Sequence, residues 1–427
     1  MKKIIIPDVA VQFGLGSAID GSTLSNLWLE TTNPENCNLA CTYCYARGGE
    51  VLEESVTLDD WLKLLDEAKS MGVTSIGIPG AGEPFYPRAI SKTMGVLNKC
   101  EELGIYTTLF TTGEFITEEL ADQLLQMPLE LMIKGNSLVP DVQDAFVSSP
   151  KKAIKGYGLR RNNALELLVS KGFNNREQCM EQYGRKSRMA LVTSVMTEGV
   201  PADQTAPLSS DDITKFVGLL ESNKDLGVTQ AYLKAMGEVT PVNFSGASNY
   251  MEIGFLQSFA RVNNIIFDVD SVLERGRGAS CHLSVKDERM KTKFQEIQRI
   301  DGQFGVHWGI NTTYAGGESC DRGSRHVYID HKGDINPCIG ASGVYLGNIR
   351  DTSLKQAWES KEMEIVRHRI HVGKCADECA NYVDINEDTG KPLCRSCLGR
   401  ACEEVTNESL LTNGNIKTIG CWNFRDR

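Results

Sequence analysis

The sequence predicts an α/β protein: a partial (β/α)6 TIM-like barrel followed by a small cysteine-rich C-terminal domain. Three observations predict it. Over residues 27–269, short apolar runs alternate with amphipathic segments, the pattern of a parallel sheet covered by helices. Three cysteines, Cys37, Cys41 and Cys44, fall just after the first of those runs. Eight of the fourteen cysteines lie beyond residue 319, where helical periodicity fades and turns become frequent.

"LWLET" (27–31) reads as the first strand. "TLDDWLKLLDEAKSMG" reads as a helix: Thr57 and Asp60 form a capping box, Trp61, Leu64, Leu65 and Ala68 supply the 3.6-period stripe, and Gly72 suits its C-terminal end. "VTSIGI" (73–78) is the second strand, a helix spans 88–103, and "IYTTLFT" (105–111) is the third strand. A helix near 117–127 leads to "LELMI" (129–133), and a helix over 160–171 leads to "RMALVTSVM" (188–196). Residues 174–186 between them read as a polar insertion. A helix over 211–223 precedes "VTQAYLK" (228–234), taken as the sixth strand. Six units are too few to close an eight-stranded barrel, so the sheet stays open, with its chemistry at the C-terminal strand ends. The expected organisation is a lead-in over 1–26, the barrel over 27–269, a linker over 270–300 and the cysteine-rich domain over 301–427.

Composition narrows the function. The formal net charge is −11 and no long Lys/Arg run occurs, which argues against nucleic-acid or membrane-surface binding. "MKKIIIPDVAVQF" is no signal peptide, because Pro7 and Asp8 break its apolar run. No stretch of ~18 apolar residues is present to span a bilayer. A soluble cytoplasmic protein is expected. In a reducing compartment, clustered cysteines read as metal ligands and not as disulfides.

The loop "NPENCNLACTYCYARGG" holds C-x3-C-x2-C at the C-terminal rim of the first strand. Three thiolates leave one position of a four-iron cube open. The alternative is a zinc knuckle completed by a distant Cys or His, although paired C-x2-C is its usual form. This motif, with aromatic Tyr43 before its last cysteine, resembles the signature of the radical S-adenosylmethionine (SAM) superfamily. The resemblance implies a 4Fe–4S cluster on Cys37, Cys41 and Cys44, whose open iron is chelated by SAM, with Tyr43 beside the adenine. It also implies reductive cleavage of SAM to a 5′-deoxyadenosyl radical that takes a hydrogen atom from substrate, and an external one-electron reductant of flavodoxin or ferredoxin type.

Other rim segments fit that resemblance. Ala81, Gly82, Glu83 and Pro84 resemble the family's G-G-E-P segment, which holds the methionine ammonium; Ala81 replaces its first glycine. Glycines permit close backbone approach, and a carboxylate is the natural partner of an ammonium. An ordinary βα turn is the alternative. "TTGEF" (111–115) and "KGNS" (134–137) offer Thr111 and Ser137 for the methionine carboxylate or ribose, against a reading as helix-capping loops. Arg188 is a candidate partner of the carboxylate, or a plain surface arginine.

The C-terminal run from Cys320 to Cys338 is C-x12-G-x4-C, with "HVYIDHKGDINPC" reading as a β-hairpin. It resembles the SPASM extension of radical SAM enzymes, which opens C-x9–15-G-x4-C. The chain after Cys338 departs from that pattern: Cys375-x3-Cys379, fourteen residues that read as an inserted hairpin, Cys394-x2-Cys397-x4-Cys402, eighteen residues, then Cys421. Spacing does not assign cysteines to clusters, but eight suffice for two auxiliary 4Fe–4S clusters, three clusters in all. Four-cysteine zinc sites are the alternative. Among weaker candidates, Cys100 shares a helical stripe with Ile90, Met94 and Leu97 and reads as core. Cys179 and Cys281 are lone thiols in polar segments. "ERGRG" (274–278) reads as a solvated linker, or an anion site. Glu318, Asp321 and His326 flank Cys320 as candidate bases.

The expected function is therefore net oxidation or bond formation on a substrate, with auxiliary clusters accepting its electron. A peptide or protein substrate is favoured, with a small carbohydrate-type or alcohol substrate as the alternative. Only 36 residues precede Cys37, short of the ~80-residue leader-binding module that many peptide-modifying relatives carry. A reading of another class is a zinc- or cluster-stabilised binding protein without radical chemistry.

Overall fold

The computed structural model describes residues 23–51, 55–196, 200, 206–239, 248–272, 276–280, 288–306, 325–340 and 344–368, and short strands at 371–372, 382–385, 392–394, 411–412 and 415–417. Six parallel strands stand in chain order: β1 (Asn26–Leu29), β2 (Ser75–Ile78), β3 (Tyr106–Thr111), β4 (Leu129–Lys134), β5 (Met189–Val195) and β6 (Ile266–Ser271). Beyond β1 the sheet continues through β7 (His326–Ile329), β8 (Asp334–Asn336) and β9 (Gly347–Asn348). β7 runs parallel to β1, while β8 and β9 are antiparallel additions.

Alternation along the strands builds two cores. Leu27, Leu29, Ile76, Ile78, Leu109, Leu131, Ile133 and Leu191 face outward onto the helices. Trp28, Met132, Ala190, Val192 and Tyr328 meet inside, with Phe110 and Ile266 against them. The two ring systems Trp28 and Phe110 lie 5.7 Å apart although β2 separates their strands. Gly77 of β2 makes this possible, since a Cβ there would stand 2.5 Å from the indole. One inner cluster drawing on β1, β3, β4, β5, β6 and β7 shows that the sheet curls around its inner face.

The first helix, α1 (Leu58–Ser70), has the Thr57/Asp60 capping box and buries Trp61, Leu64, Leu65 and Ala68. Gly72 comes just after it at φ +92°. Then come α2 (Ile90–Leu103), α3 (Glu118–Gln126), α4 (Pro140–Phe146), α5 (Tyr157–Ser170), α6 (Arg176–Tyr183) and α7 (Ser210–Ser222). Cys100 is buried on α2, and burial pushes its thiol up to about 12. The expected insertion at 174–186 is largely α6, and Cys179 is buried there with its thiol directed at the Phe173 carbonyl, 3.4 Å away.

Two expectations are corrected. "VTQAYLK" is not a strand but the start of α8 (Val228–Val239). Its buried residues Thr229, Ala231, Tyr232, Ala235 and Met236 follow helical spacing, which a seven-residue window hides. The sixth strand is β6, "IFDVDS", preceded by α9 (Ile253–Val262). Nor is 270–300 a plain linker: it holds the end of β6, a 3-10 turn (Gly276–Ser280) and most of α10 (Glu288–Gln303), whose Phe294, Ile297 and Ile300 enter the core. After β9, α11 (Leu354–Trp358) packs on α1. Tyr382–Ile385 pairs antiparallel with Pro392–Cys394, which places a hairpin where the extra residues suggested one. Among the described residues no helix is long and apolar enough to cross a membrane.

Candidate active site at the barrel rim

The three-cysteine loop leaves the C-terminal end of β1. Ala40 N–H donates to Val147 O (2.8 Å) and Gly49 N–H to Pro34 O (2.6 Å), so the loop is closed on itself and onto α4. Leu39, Val147 and Tyr157 pack beneath Cys37 and Cys41. A Cβ on Gly48 would lie 3.4 Å from Cys37 Sγ and 3.6 Å from Cys44 Sγ, so both thiols gather over this glycine. Gly48 N–H donates to Cys44 Sγ (3.2 Å). Burial pushes the Cys41 thiol up to about 12, neighbouring Cys44 adds to this, and Tyr43 and Arg277 pull it back. Burial likewise raises Cys37. Three soft sulfur ligands over an apolar floor, with a backbone donor aimed at one sulfur, are the donor set of an iron–sulfur cluster, so the residues fit one. Among the described residues no three His, Cys, Asp or Glu side chains converge on a single-ion position.

The loop after β2 packs directly on the cysteine loop. Glu83 N–H donates to Asn36 O (2.8 Å) and Gly82 N–H to Thr32 Oγ1 (3.3 Å). A Cβ on Gly82 would stand 2.2 Å from Asn33 O, so this glycine serves loop-to-loop contact. Ala81 is buried beside it, at 2% exposure. Pro84 accepts from Thr93 Oγ1 through its carbonyl (2.8 Å). The Glu83 carboxylate is buried. It accepts from Thr111 Oγ1 (2.6 Å), Thr112 N–H (2.7 Å) and Phe85 N–H (3.1 Å). Burial raises its pKa, and these hydrogen bonds oppose the rise. Thr111 thus spends its hydroxyl proton on Glu83 and orients it.

After β4, Asn136 is a residue that the sequence alone did not single out. Its Nδ2 donates to Tyr43 Oη (2.7 Å), and its Oδ1 accepts from Ser194 N–H (2.9 Å). It therefore fixes Tyr43 against β5. Ser137, one residue on, uses its hydroxyl to accept from Val139 N–H (3.0 Å) within its own turn. Inside the barrel, Lys134, Val192 and Asp268 share one row across β4, β5 and β6. Burial lowers the Lys134 pKa, and Asp268 opposes this. At the top of β1, buried Glu30 accepts from Tyr45 Oη (2.9 Å) and faces His331 Nδ1 (3.3 Å), linking the cysteine loop to the β7–β8 turn.

Arg188 is not at this site. It precedes β5, at the opposite end of the strands, and its guanidinium donates to the carbonyls of Leu124, Leu125, Met127 and Leu129. It is a buried cation closing the C-terminal end of α3, the location where a positive charge suits the helix dipole. His326 is likewise at the far end, bonded through Nδ1 to Asn26 Oδ1 (2.6 Å). In "ERGRG", Gly276 and Arg277 turn back onto the cysteine loop instead of lying in solvent. Of the C-terminal cysteines, Cys338 is buried after β8. The side chains of Cys320, Cys375, Cys379, Cys394, Cys397, Cys402 and Cys421, and residues Cys281, Glu318 and Asp321, lie outside the described residues.

Comparison with known proteins agrees with this geometry. Residues 34–179 match the radical SAM superfamily and residues 320–398 match the SPASM iron–sulfur cluster-binding domain. The chain is a radical SAM superfamily protein with a C-terminal SPASM domain, and so belongs to a family of enzymes that use SAM and a 4Fe–4S cluster. Among solved structures it is similar to Streptococcus suis SuiB bound to S-adenosylmethionine, with 16% identity, TM-score 0.54, and 84% of this chain and 71% of that chain covered. SuiB bound to precursor peptide SuiA gives 16% identity, TM-score 0.54, and coverage of 88% and 75%. Native anSMEcpe with bound AdoMet gives 14% identity, TM-score 0.50, and coverage of 88% and 94%. At these identities the likeness establishes the fold.

Proposed function

We propose that this protein is a radical SAM oxidoreductase or maturase acting on a peptide or protein, with net oxidation or bond formation as the outcome. The observation that carries the radical reading is Glu83: a buried carboxylate caged by three donors, on a loop hydrogen-bonded to the three-cysteine loop. Cys37, Cys41 and Cys44 would hold a 4Fe–4S cluster, which supplies the electron that cleaves SAM to a 5′-deoxyadenosyl radical. Glu83 and the backbone of Ala81–Pro84 receive the methionine ammonium, and Thr111 keeps Glu83 in place. Tyr43, held by Asn136, flanks the adenine. Ser137 shapes the turn that carries Asn136. The inner wall of Trp28, Phe110, Met132 and Tyr328 excludes water from the reacting carbon.

In this reading Cys320, Cys338, Cys375, Cys379, Cys394, Cys397, Cys402 and Cys421 hold two auxiliary clusters, for three 4Fe–4S clusters in total. Such clusters, when bound, would supply an acceptor for the electron that the substrate loses after hydrogen abstraction, and a flavodoxin- or ferredoxin-type donor would reduce the first cluster. The peptide assignment is supported by the likeness to SuiB, which was crystallised with its precursor peptide.

Anaerobic reconstitution followed by reduction with SAM tests both levels. The expected result is a brown protein that releases 5′-deoxyadenosine. Cys41→Ala abolishes that release. Cys397→Ala spares it but stops substrate conversion, read as loss of two hydrogens by mass spectrometry. A colourless protein with stoichiometric zinc overturns the radical reading, and identical behaviour of the two variants overturns the division of roles.

A further inference from the structure

The cysteine loop comes after β1, and the 3-10 turn Gly276–Ser280 comes after β6, the edge strand of the nine-stranded sheet. β1 and β6 are the first and last of the six parallel strands, so the two loops stand on opposite flanks of the curled sheet. Arg277 joins them. Its backbone N–H donates to Cys44 O, its Nε to Cys41 O and its Nη1 to Gly48 O, each at 2.9 Å. Nη1 also lies 3.6 Å from the Glu50 carboxylate.

The preceding residue permits this approach. Gly276 adopts φ +55°, and a Cβ there would stand 2.2 Å from Tyr45 O and 2.8 Å from Cys44 O. The planar guanidinium offers its donors as a rigid fork, which suits two carbonyls at fixed separation and which lysine does not reproduce. Arg277 lies outside both matched domain segments, 34–179 and 320–398.

We propose that Arg277 is a positioning residue of the three-cysteine centre: it straps the Cys41–Gly48 loop from across the open side of the barrel and places a fixed positive charge beside the bound cluster. This rests on the cluster reading above, but concerns a residue that ligates nothing. The strap satisfies three loop carbonyls that would otherwise need water, so it holds the cysteines at ligand spacing and keeps solvent from the cluster. Its charge favours the reduced, more negative state of that cluster.

The test uses the full-length holoprotein, reconstituted anaerobically. Arg277→Met removes fork and charge, Arg277→Lys removes the fork and keeps a charge, and Glu50→Gln removes only the ion pair. Iron retained after chelator challenge and the midpoint potential of the SAM-responsive electron paramagnetic resonance signal are read for each. Arg277→Met is expected to lose roughly a third of the iron, the share of one cubane in three, and to shift the residual midpoint to more negative values. Arg277→Lys keeps the potential near wild type but loses iron faster than wild type, and Glu50→Gln behaves as wild type. If Arg277→Met does not fold by circular dichroism, Arg277→Lys alone decides. Wild-type iron with wild-type retention in the folded Arg277 variants overturns this proposal alone. A wild-type chain that takes up no iron overturns the cluster reading and this proposal together.

Discussion

Two buried charges, Glu83 and Arg188, show how differently a charged residue on a strand flank reads in sequence and in structure. Glu83 sits in a caged anion site with its pKa raised by burial above the ordinary 4.5. A raised carboxylate pKa means the unfolded chain releases this proton at lower pH. Ionised Glu83 therefore works against folding above its unfolded pKa, and the protein regains that stability as pH falls through the folded pKa. A bound ammonium reverses the preference by favouring the carboxylate. SAM affinity should thus fall on acidification, from a pH above the ordinary carboxylate range because burial raises this group, and equilibrium binding against pH measures it. Glu83→Gln should weaken SAM binding by about 10- to 100-fold, the scale of one charged hydrogen bond, while leaving cluster iron unchanged. Arg188→Met should do the opposite. It strands four carbonyls and should cost about 3 kcal/mol of stability in denaturant unfolding, with SAM affinity of the folded protein unchanged. A loss of affinity without loss of stability would return Arg188 to the ligand site.

Elements were legible where chemistry or periodicity is local. The Thr57/Asp60 cap, the α1 stripe and the Cys37–Cys44 spacing each declare themselves within one window. The sixth strand did not, because Val228, Thr229 and Tyr232 are residue types common in strands and seven residues are too few to show a period, while Ala235 and Met236, which complete the helical stripe, lie beyond them. Asn136 and Arg277 were illegible for another reason: their partners Tyr43 and Cys41 are 93 and 236 residues away. Gly82 joins two elements in the same manner, and its role is testable at that scale. Gly82→Ala puts a Cβ 2.2 Å from Asn33 O and so separates the cysteine loop from the Glu83 loop. Reconstituted iron and SAM binding should both drop, whereas Ala81→Gly should leave both near wild type. Equal behaviour of the two variants would remove Gly82 from the site.

At the scale of the whole molecule, the barrel and the C-terminal region share one sheet and one core. β7 pairs with β1 in register from Asn26↔His326 to Leu29↔Ile329. Val327, Ile329, Ile335, Leu354, Trp358 and Met363 join the same apolar cluster as Leu27, Leu29 and Trp61. Glu67 of α1 accepts from the N–H groups of Leu354 and Lys355 at the start of α11, both at 3.1 Å. Six buried side chains at roughly 1.5–3 kcal/mol each match the net stability of a domain, about 5–15 kcal/mol. A chain ending at residue 306 would lose them and expose β1 as an unpaired edge, a template for association. It should therefore aggregate or unfold, as read by size-exclusion chromatography and circular dichroism, with Cys37, Cys41 and Cys44 intact but no cluster retained. A soluble monomeric fragment that keeps one cluster would instead make the barrel an independent unit, with its boundary near residue 301 as the change in sequence pattern suggests.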